Sequence, residues 1–551
     1  MKNWQILYKI KNQKSKIENK KILRILLENR GIKTKKEIEK FLNPKLESVT
    51  IDSVRIDKQQ LEKAIARIKL AIKNKEEIAV FGDYDVDGIC GTAILWETLN
   101  SLGAKIMPYI PHRIEEGYGL SEKGIDNLKL TIKNCRLIIT VDNGIVANKA
   151  VDYANSLGID VIITDHHVVS NNKPKALAIV HTTKLCGTGV AWMLSREFRE
   201  NKSHLELVAL ATVADLVPLT GASRTLLKFG LEELSKTKRV GLLELFKEAG
   251  LSGGSIDTYE IGHIIAPRLN AMGRLEYAMD SLRLICTTNR KRAEDLARLL
   301  GKTNRERQDL TLQMVMHAKD SIKIQKRELN DLLFVVHESY DQGVIGLVAG
   351  KLVEEFYRPA IVISKGEKFS KASARSISGF NMIEFIRSVS EFLVDAGGHP
   401  MAAGFTVETA KLPQLQKALE KKAGPLLNKD LLTRNLKIDC ELPLSAINIE
   451  LYDKTRKLEP FGMANPQPVF MSKKVEIQDI RTVGKEGSHL KLKLFQKEQE
   501  ELIFDGIGFS LGEKAKDLHI GDLISIAYVI SPDEWNGQDK LQLTIKDLRN
   551  N

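Results

Sequence analysis

Between residues 78 and 180 short apolar runs and amphipathic stretches take turns along the chain: IAVFG (78–82), GICGTAILWETLNSLG (88–103), KIMPYI (105–110), RLIITVDNG (136–144), a helical stretch, then DVIITDHH (160–167). Parallel strands need a long crossover between them, and a helix supplies it, so this alternation predicts a parallel sheet with helices on its faces. At about 100 to 200 residues per domain, 551 residues leave room for two or three further domains. Residues 1–50 read as a basic helical segment ending at FLNP (41–44), where Pro44 disfavours helix in the residue before it. The sheet domain is expected over 51–225 and a helical region over 226–325. The latter closes on one long charged helix, RKRAEDLARLLGKTNRERQDLTLQMVMHAK (290–319). A second α/β segment opens at DLLFVVHE and is expected over 326–410. Residues 411–551 read as a helical linker followed by five or six short strands with period-two alternation, the size of a small barrel.

Two function classes drop out early. No stretch approaches about eighteen consecutive apolar residues, and the start, MKNWQILYKIKNQKSK, shows no secretory pattern, so no membrane span is expected and a cytoplasmic location is. The five cysteines (Cys90, Cys135, Cys186, Cys286, Cys440) are scattered and never form a CxxC, which argues against a disulfide framework or a cysteine-rich zinc site. Net charge is +12, but residues 1–50 carry fourteen Lys/Arg against five Glu, so the basic character is concentrated there. Such a segment is compatible with a polyanionic partner.

The most informative feature is where the acids sit. The run IAVFG ends in Asp83, Asp85 and Asp87 (FGDYDVDG), RLIITV in Asp142 (VDNG), and VIIT in Asp165, His166 and His167 (TDHH). Ligands of an open parallel sheet bind at the carboxyl ends of its strands, so adjacent strands would bring all three sets into one pocket. Anions that close together stay ionised only when cations compensate them, and oxygen ligands mixed with imidazole suit Mn²⁺ or Mg²⁺. Two such ions in one site are a known device for hydrolysing phosphoesters. Each piece alone has plainer readings: an Asp after a strand is often a turn former or helix cap, and DYDVDG also fits a calcium-like loop or the nucleophile of a haloacid-dehalogenase-type phosphatase. Two histidines directly after an Asp at a strand end are harder to explain structurally, since neighbouring strand residues face opposite sides.

With those residues in view the chain resembles the DHH phosphoesterase superfamily, and more closely the RecJ-type single-strand-specific DNA exonucleases. The resemblance runs through GIKTKKEIEKFLNP (31–44), FGDYDVDGICGTA (81–93), PHRIEEGYGL (111–120), TVDNGI (140–145), TDHH (164–167), ATVADLVPL (211–219), APRLNAMGR (266–274), GVIGLVAGKLVE (343–354), SARSISGFN (373–381), GGHPMAAGF (397–405) and LEPFGMANPQPVF (458–470). It implies a DHH-type parallel-sheet domain and a DHH-associated α/β domain joined by a long helix, with a C-terminal OB-fold barrel. It further implies metal ligation by Asp83, Asp85, Asp142, His166 and Asp215, the last ending a predicted helix (ELVALATVAD), with Asp87, Asp165 and His167 in catalytic support. His167 either protonates the leaving oxygen or orients the scissile phosphate.

For substrate, Ser373, Arg375 and Ser376 offer hydroxyls and a forked guanidinium as a phosphate clamp. Arg113 and Arg268 stand in matched motifs as candidates for a 5′-terminal phosphate, and His399 as a reader of phosphate or sugar. Barrel aromatics (Phe470, Phe495, Phe504, Phe509, Tyr528, Trp535) are candidates for stacking on bases, with most of them expected in the core. The resemblance implies a metal-dependent 5′-to-3′ exonuclease on single-stranded DNA, using two Mn²⁺ or Mg²⁺ ions in repair and recombination. A monomer is expected, with a single-strand-binding protein and a RecQ-type helicase as partners. Tyr340, Asp341 and Ala464 depart from the family pattern, outside the metal set. The competing readings are a small-substrate phosphoesterase of the same superfamily, which generally lacks the basic segment and the barrel, and an inactive scaffold, which would have lost the acids.

Overall fold

The computed structural model describes residues 2–9, 18–169, 172–199, 202–251, 256–325, 330–497, 499–533 and 540–550. They divide into two compact units, one of residues 49–217 and 226–433, the other of 1–48, 218–225 and 434–551. No helix among the described residues is long and apolar enough to cross a membrane.

The first unit opens on the expected parallel sheet. Its order is Lys105–Tyr109, Glu77–Phe81, Cys135–Val141, Asp160–Asp165, Ala178–His181, with every pairing parallel. The strand order reverses at Glu77–Phe81, and such a reversal opens a crevice beyond the carboxyl ends of the strands flanking it. Both faces are covered. On one side Phe81, Ile138, Val161 and Ile163 pack with Ile125, Leu128 and Val151 from the helices Glu122–Thr131 and Asn148–Ser156. On the other the helices Val86–Asn100, Gly187–Ser195 and Leu205–Ala214 are buried along nearly their whole length. That is why their sequences are apolar all round rather than striped.

The helix Arg290–Gln325 runs 36 residues, about 54 Å at 1.5 Å per residue. It leads into a second sheet of order Leu393–His399, Ala402–Glu408, Phe369–Arg375, Ala360–Ser364, Leu333–His337, parallel only between the last two. Period-two alternation divides its strands between two cores. Leu333, Val335, Ala360 and Val362 face the helix Ile345–Phe356 and the end of the long helix, while Phe334, Ile361 and Ile363 face the opposite layer. In that layer lies the helix Leu412–Leu426, which the sequence reading assigned to a linker. Its Leu412, Leu415, Leu419 and Ala423 are buried against the sheet, so this α/β layer continues past residue 410.

The second unit is a closed barrel. Phe470–Val483 pairs with both His489–Gln496 and Leu523–Pro532, and Gln499–Gly508 and Leu541–Asn550 complete the ring. Phe470, Phe504 and Tyr528 lie in its core, whereas Phe509 is exposed beside His489; Trp535 falls outside the described residues. The basic N-terminal segment is not independent of the barrel. Asn3–Ile6, expected as helix, is a strand paired in parallel with Asn435–Ile438, and the helix Asn19–Asn29 buries Ile22, Ile25, Leu26 and Leu27 in the barrel core. Four residues are too few to show a period, which is why the strand was missed.

Leu419→Ala leaves a cavity in the second sheet's core and is expected to cost about 2–5 kcal/mol, lowering the urea midpoint of the first unit. An unchanged midpoint contradicts the packing of this helix against that sheet.

Candidate metal centre

Adjacent strands end where the acids begin. Asp83 follows Glu77–Phe81, Asp142 follows Cys135–Val141, and Asp165 closes Asp160–Asp165. Asp85 is the N-cap of Val86–Asn100, its Oδ1 accepting from the amides of Asp87 (3.0 Å) and Gly88 (3.1 Å). Asp215 is the C-cap of Leu205–Ala214, where the helix dipole opposes a carboxylate. Asp142 has φ +63°, a conformation that costs energy for any residue bearing a Cβ. Gly187 makes room for it, since a Cβ there would lie 2.6 Å from that of Asp142.

These residues converge. Candidate ligand atoms of Asp83, Asp85 and Asp142 lie within 4.8 Å of one another, as do those of Asp87, His166 and Asp215, and those of Asp142, His166 and His167. His166 Nε2 stands 3.1 Å from Asp142 Oδ1, 3.6 Å from Asp215 Oδ2 and 3.7 Å from Asp87 Oδ2. Asp83 and Asp142 are almost wholly buried. Asp83 Oδ1, Asp142 Oδ1 and His166 Nε2 are buried without a hydrogen-bond partner among the described residues, which is costly unless a further group satisfies them. Burial first, then the charge of Asp85, pushes the Asp83 carboxyl well up; burial and Asp87 raise Asp85 and Asp142; burial, Asp87 and Asp85 push Asp215 up to about 9. Burial pulls the His166 imidazole down, leaving its nitrogen a lone-pair donor. An assembly of unsatisfied carboxylate oxygens and a neutral imidazole fits hard divalent cations such as Mn²⁺ or Mg²⁺.

Two of the supporting acids have their oxygens engaged. Asp87 accepts from the amides of Gly187 and Thr188, each at 2.7 Å, which anchors the start of Gly187–Ser195. Asp165 Oδ1 accepts from the amides of His166 (2.7 Å) and His167 (3.1 Å) and lies 2.8 Å from His167 Nδ1, while Oδ2 accepts from the Ile145 amide at 2.9 Å. Burial lowers the affinity of His167 for a proton, but the bond and charge of Asp165 outweigh it and raise its pKa. Tyr118 Oη stands 3.2 Å from the other nitrogen, Nε2, and the His399 ring stacks 6.1 Å from the His167 ring.

Arginines gather beside this pit. Arg113 lies over the Tyr84 ring at 5.0 Å, Arg375 donates to Ser373 Oγ (3.2 Å) and the Ala374 carbonyl, and Arg274 donates to the Gly343 carbonyl. Burial, then Arg113 and Arg375, push the Arg274 guanidinium down to about 10; burial and Arg113 lower Arg375. Buried cations that repel one another call for an anion. Arg268 and Ser376 do not join them. Arg268 Nε donates to Glu248 at 2.8 Å and Nη1 to the Ile264 carbonyl, and the buried Ser376 hydroxyl donates to the Phe380 carbonyl at 2.6 Å. Arg274 and Asn270 were missed. They lie four residues apart on the helix Ala266–Leu275, hence on one face, and Asn270 Oδ1 accepts from the Val86 amide at 2.9 Å beside the acids. That shared face was the available signal.

Three domain models match in chain order: the DHH family N-terminal domain over 77–214, the DHHA1 domain over 330–424 and the RecJ OB domain over 438–547. The chain is 36% identical to the single-stranded-DNA-specific exonuclease RecJ of Bacillus subtilis (strain 168) over 98% of its own length and 69% of that protein's. The crystal structure of Thermus thermophilus RecJ in complex with Mn²⁺ superposes with a TM-score of 0.83 at 28% identity, covering 100% of this chain and 80% of that one. The structure of the same protein in complex with Mg²⁺ gives 0.76 at 26% identity, covering 100% and 78%.

With its pKa raised from 3.8 to about 9, Asp215 holds a proton in the folded chain over a range where the unfolded chain has lost it. Its stabilising contribution to the metal-free protein is therefore complete below pH 3.8 and lost as pH rises through about 9. Asp215→Asn is expected to raise the metal-free Tm at about pH 8 and flatten its fall with pH, while weakening Mn²⁺ binding measured by calorimetry. A lowered Tm with intact Mn²⁺ binding contradicts the assignment.

Proposed function

The chain belongs to the RecJ family, and on that premise we propose that it hydrolyses phosphodiester bonds of single-stranded DNA from the 5′ end, in a Mn²⁺- or Mg²⁺-dependent reaction that serves DNA repair and recombination. The observation that carries the reading is the convergence of three unsatisfied buried atoms, Asp83 Oδ1, Asp142 Oδ1 and His166 Nε2, at the carboxyl ends of neighbouring parallel strands. In this reading Asp83, Asp85, Asp142, His166 and Asp215 hold two cations. Bound there, the cations supply the charge that activates a water and stabilises the attacking and leaving oxygens.

The chain's own groups do the positioning. Asp87 fixes the start of Gly187–Ser195 and so the Gly187 backbone against Asp142. Asp165 keeps the His167 proton on Nδ1 and turns Nε2 toward Tyr118, so that a protonated His167 presents Nε2–H to a phosphate or leaving oxygen. Arg113, Arg274 and Arg375, with Ser373, grip a terminal phosphate, and His399 lies against His167 on the substrate side. A terminal phosphate held beside the acids sets the direction of cleavage. We extend the reading to a monomer that works with a single-strand-binding protein and a RecQ-type helicase.

Asp85→Ala or His166→Ala is expected to abolish cleavage of labelled single strands with Mn²⁺ while strand binding stays measurable; retained turnover contradicts their role. Arg274→Ala is expected to raise KM for 5′-phosphorylated strands by about tenfold or more, the equivalent of one lost charged hydrogen bond, with a smaller effect on 5′-hydroxyl strands. Equal losses on both substrates remove Arg274 from the terminal-phosphate grip.

A further inference from the structure

Within the barrel unit a cavity of about 260 Å³ opens between the helix Lys35–Leu42, the start of the helix Gly221–Leu234 and the turn at 464–465. Its walls are largely apolar, with Ile32, Phe41, Pro44, Leu219 and Ala464 contributing. Arg224 borders it and is 2% exposed. The guanidinium lies over the Phe41 ring, 4.0 Å from its centroid, and Nη2 donates to the carbonyls of Leu458 (3.1 Å) and Glu459 (2.6 Å). Nε and Nη1 have no acceptor among the described residues.

Among the described residues no carboxylate of the cavity wall balances this charge. Asp439 is paired with Arg30 at 3.2 Å, and Glu37, the acid in that wall, is exposed and accepts from the amides of Lys33 and Thr34. Burial alone pushes the Arg224 guanidinium down to about 10. A buried cation with two idle donors is costly to keep, and the cost falls when an anion pairs with it. Thr220 and Gly221, at the positive end of a fourteen-residue helix, stand in the same wall and favour the same sign of ligand.

We propose that this cavity is a binding site for a carboxylate carried on an apolar group, the carboxylate pairing with Arg224 and the apolar group lying among Ile32, Phe41 and Leu219. One uncompensated guanidinium matches one negative charge. Lys40, Thr220 and Thr225 add donors to the wall, but a bare phosphate would leave the apolar surface of Ile32, Phe41 and Leu219 uncovered, which a carboxylate on an apolar group fills. A free organic acid and the terminal carboxylate of a polypeptide present the same chemistry. The site shares no residue with the acidic pit and does not depend on the nuclease reading.

The test uses the full chain with isoleucine methyl groups labelled for NMR and the Ile32 methyl as reporter. Phenylacetate and N-acetylphenylalanine are expected to shift that signal saturably; N-acetylphenylalanine amide and inorganic phosphate are expected to leave it unmoved. Tighter binding of N-acetylphenylalanine than of phenylacetate assigns the site to a chain terminus, and the reverse to a small acid. Arg224→Gln is expected to weaken binding by about tenfold or more. Should that variant lose its native methyl spectrum, Thr220→Trp, placed at the exposed rim, is expected to block the cavity and abolish the shift. The proposal is overturned if neither acid moves Ile32, if the amide moves it equally, if phosphate binds instead, or if folded Thr220→Trp binds as before.

Discussion

Electrostatic repulsion among buried carboxylates is the constraint around which the first unit is arranged. Asp83, Asp85, Asp142 and Asp215 are each pushed toward the protonated form by burial and by neighbouring carboxylates, Asp87 and Asp85 foremost, yet the backbone is laid out to bring them together. Asp142 adopts a left-handed conformation and Asp215 sits at the unfavourable end of a helix. Gly187 gives up its side chain so that Asp142 fits. Each arrangement is costly alone, and all three make sense together if positive charge arrives from outside the chain.

The arginine group is the mirror image of that pit in the same unit. Burial, then the charges of Arg113 and Arg375, lower Arg274's hold on its proton, and burial and Arg113 lower that of Arg375, so this group too is incomplete without a ligand of opposite sign. A nucleic-acid end, the substrate in the proposed function, would supply what both lack: phosphate oxygens for the guanidiniums and further oxygens for cations held by the acids. By contrast Asp87, Asp165 and Arg268 have their polar atoms engaged within the protein.

Much of this was legible in the residues. Parallel strands have one end at which loops gather, so the runs ending in FGDYDVDG, VDNG and TDHH pointed to one crevice, and the sheet order puts them side by side. Asp87 and Asp165 were readable as support; Asp165 finds most of its partners in the adjacent His166 and His167, whereas those of Asp87, Gly187 and Thr188, are remote in sequence. Arg268 and Arg274 belong to one motif that sequence alone does not resolve, and only tertiary packing shows that Glu248 takes the first. Ser376 failed for a similar reason, its hydroxyl closing its own turn. Ala464, which departs from the glycine usual in the family pattern, has φ +61°, so the departure keeps the left-handed backbone that glycine favours. Asp341 likewise serves its turn, its Oδ1 accepting from the Gly343 amide at 2.7 Å.

The parallel pairing of Asn3–Ile6 with Asn435–Ile438 bears on how the molecule is made. Asn3 and its partner Asn435 are 432 positions apart. At ribosomal speeds of about 5–20 residues per second, roughly 20 to 90 s separate their synthesis. Throughout that delay Ile22, Leu26 and Leu27 have no barrel to cover them, while all strands of the parallel sheet are made within it, by His181. This hydrophobic surface is thus made hundreds of residues before the strands that shelter it, and its dense lysines keep the nascent segment hydrated while it waits.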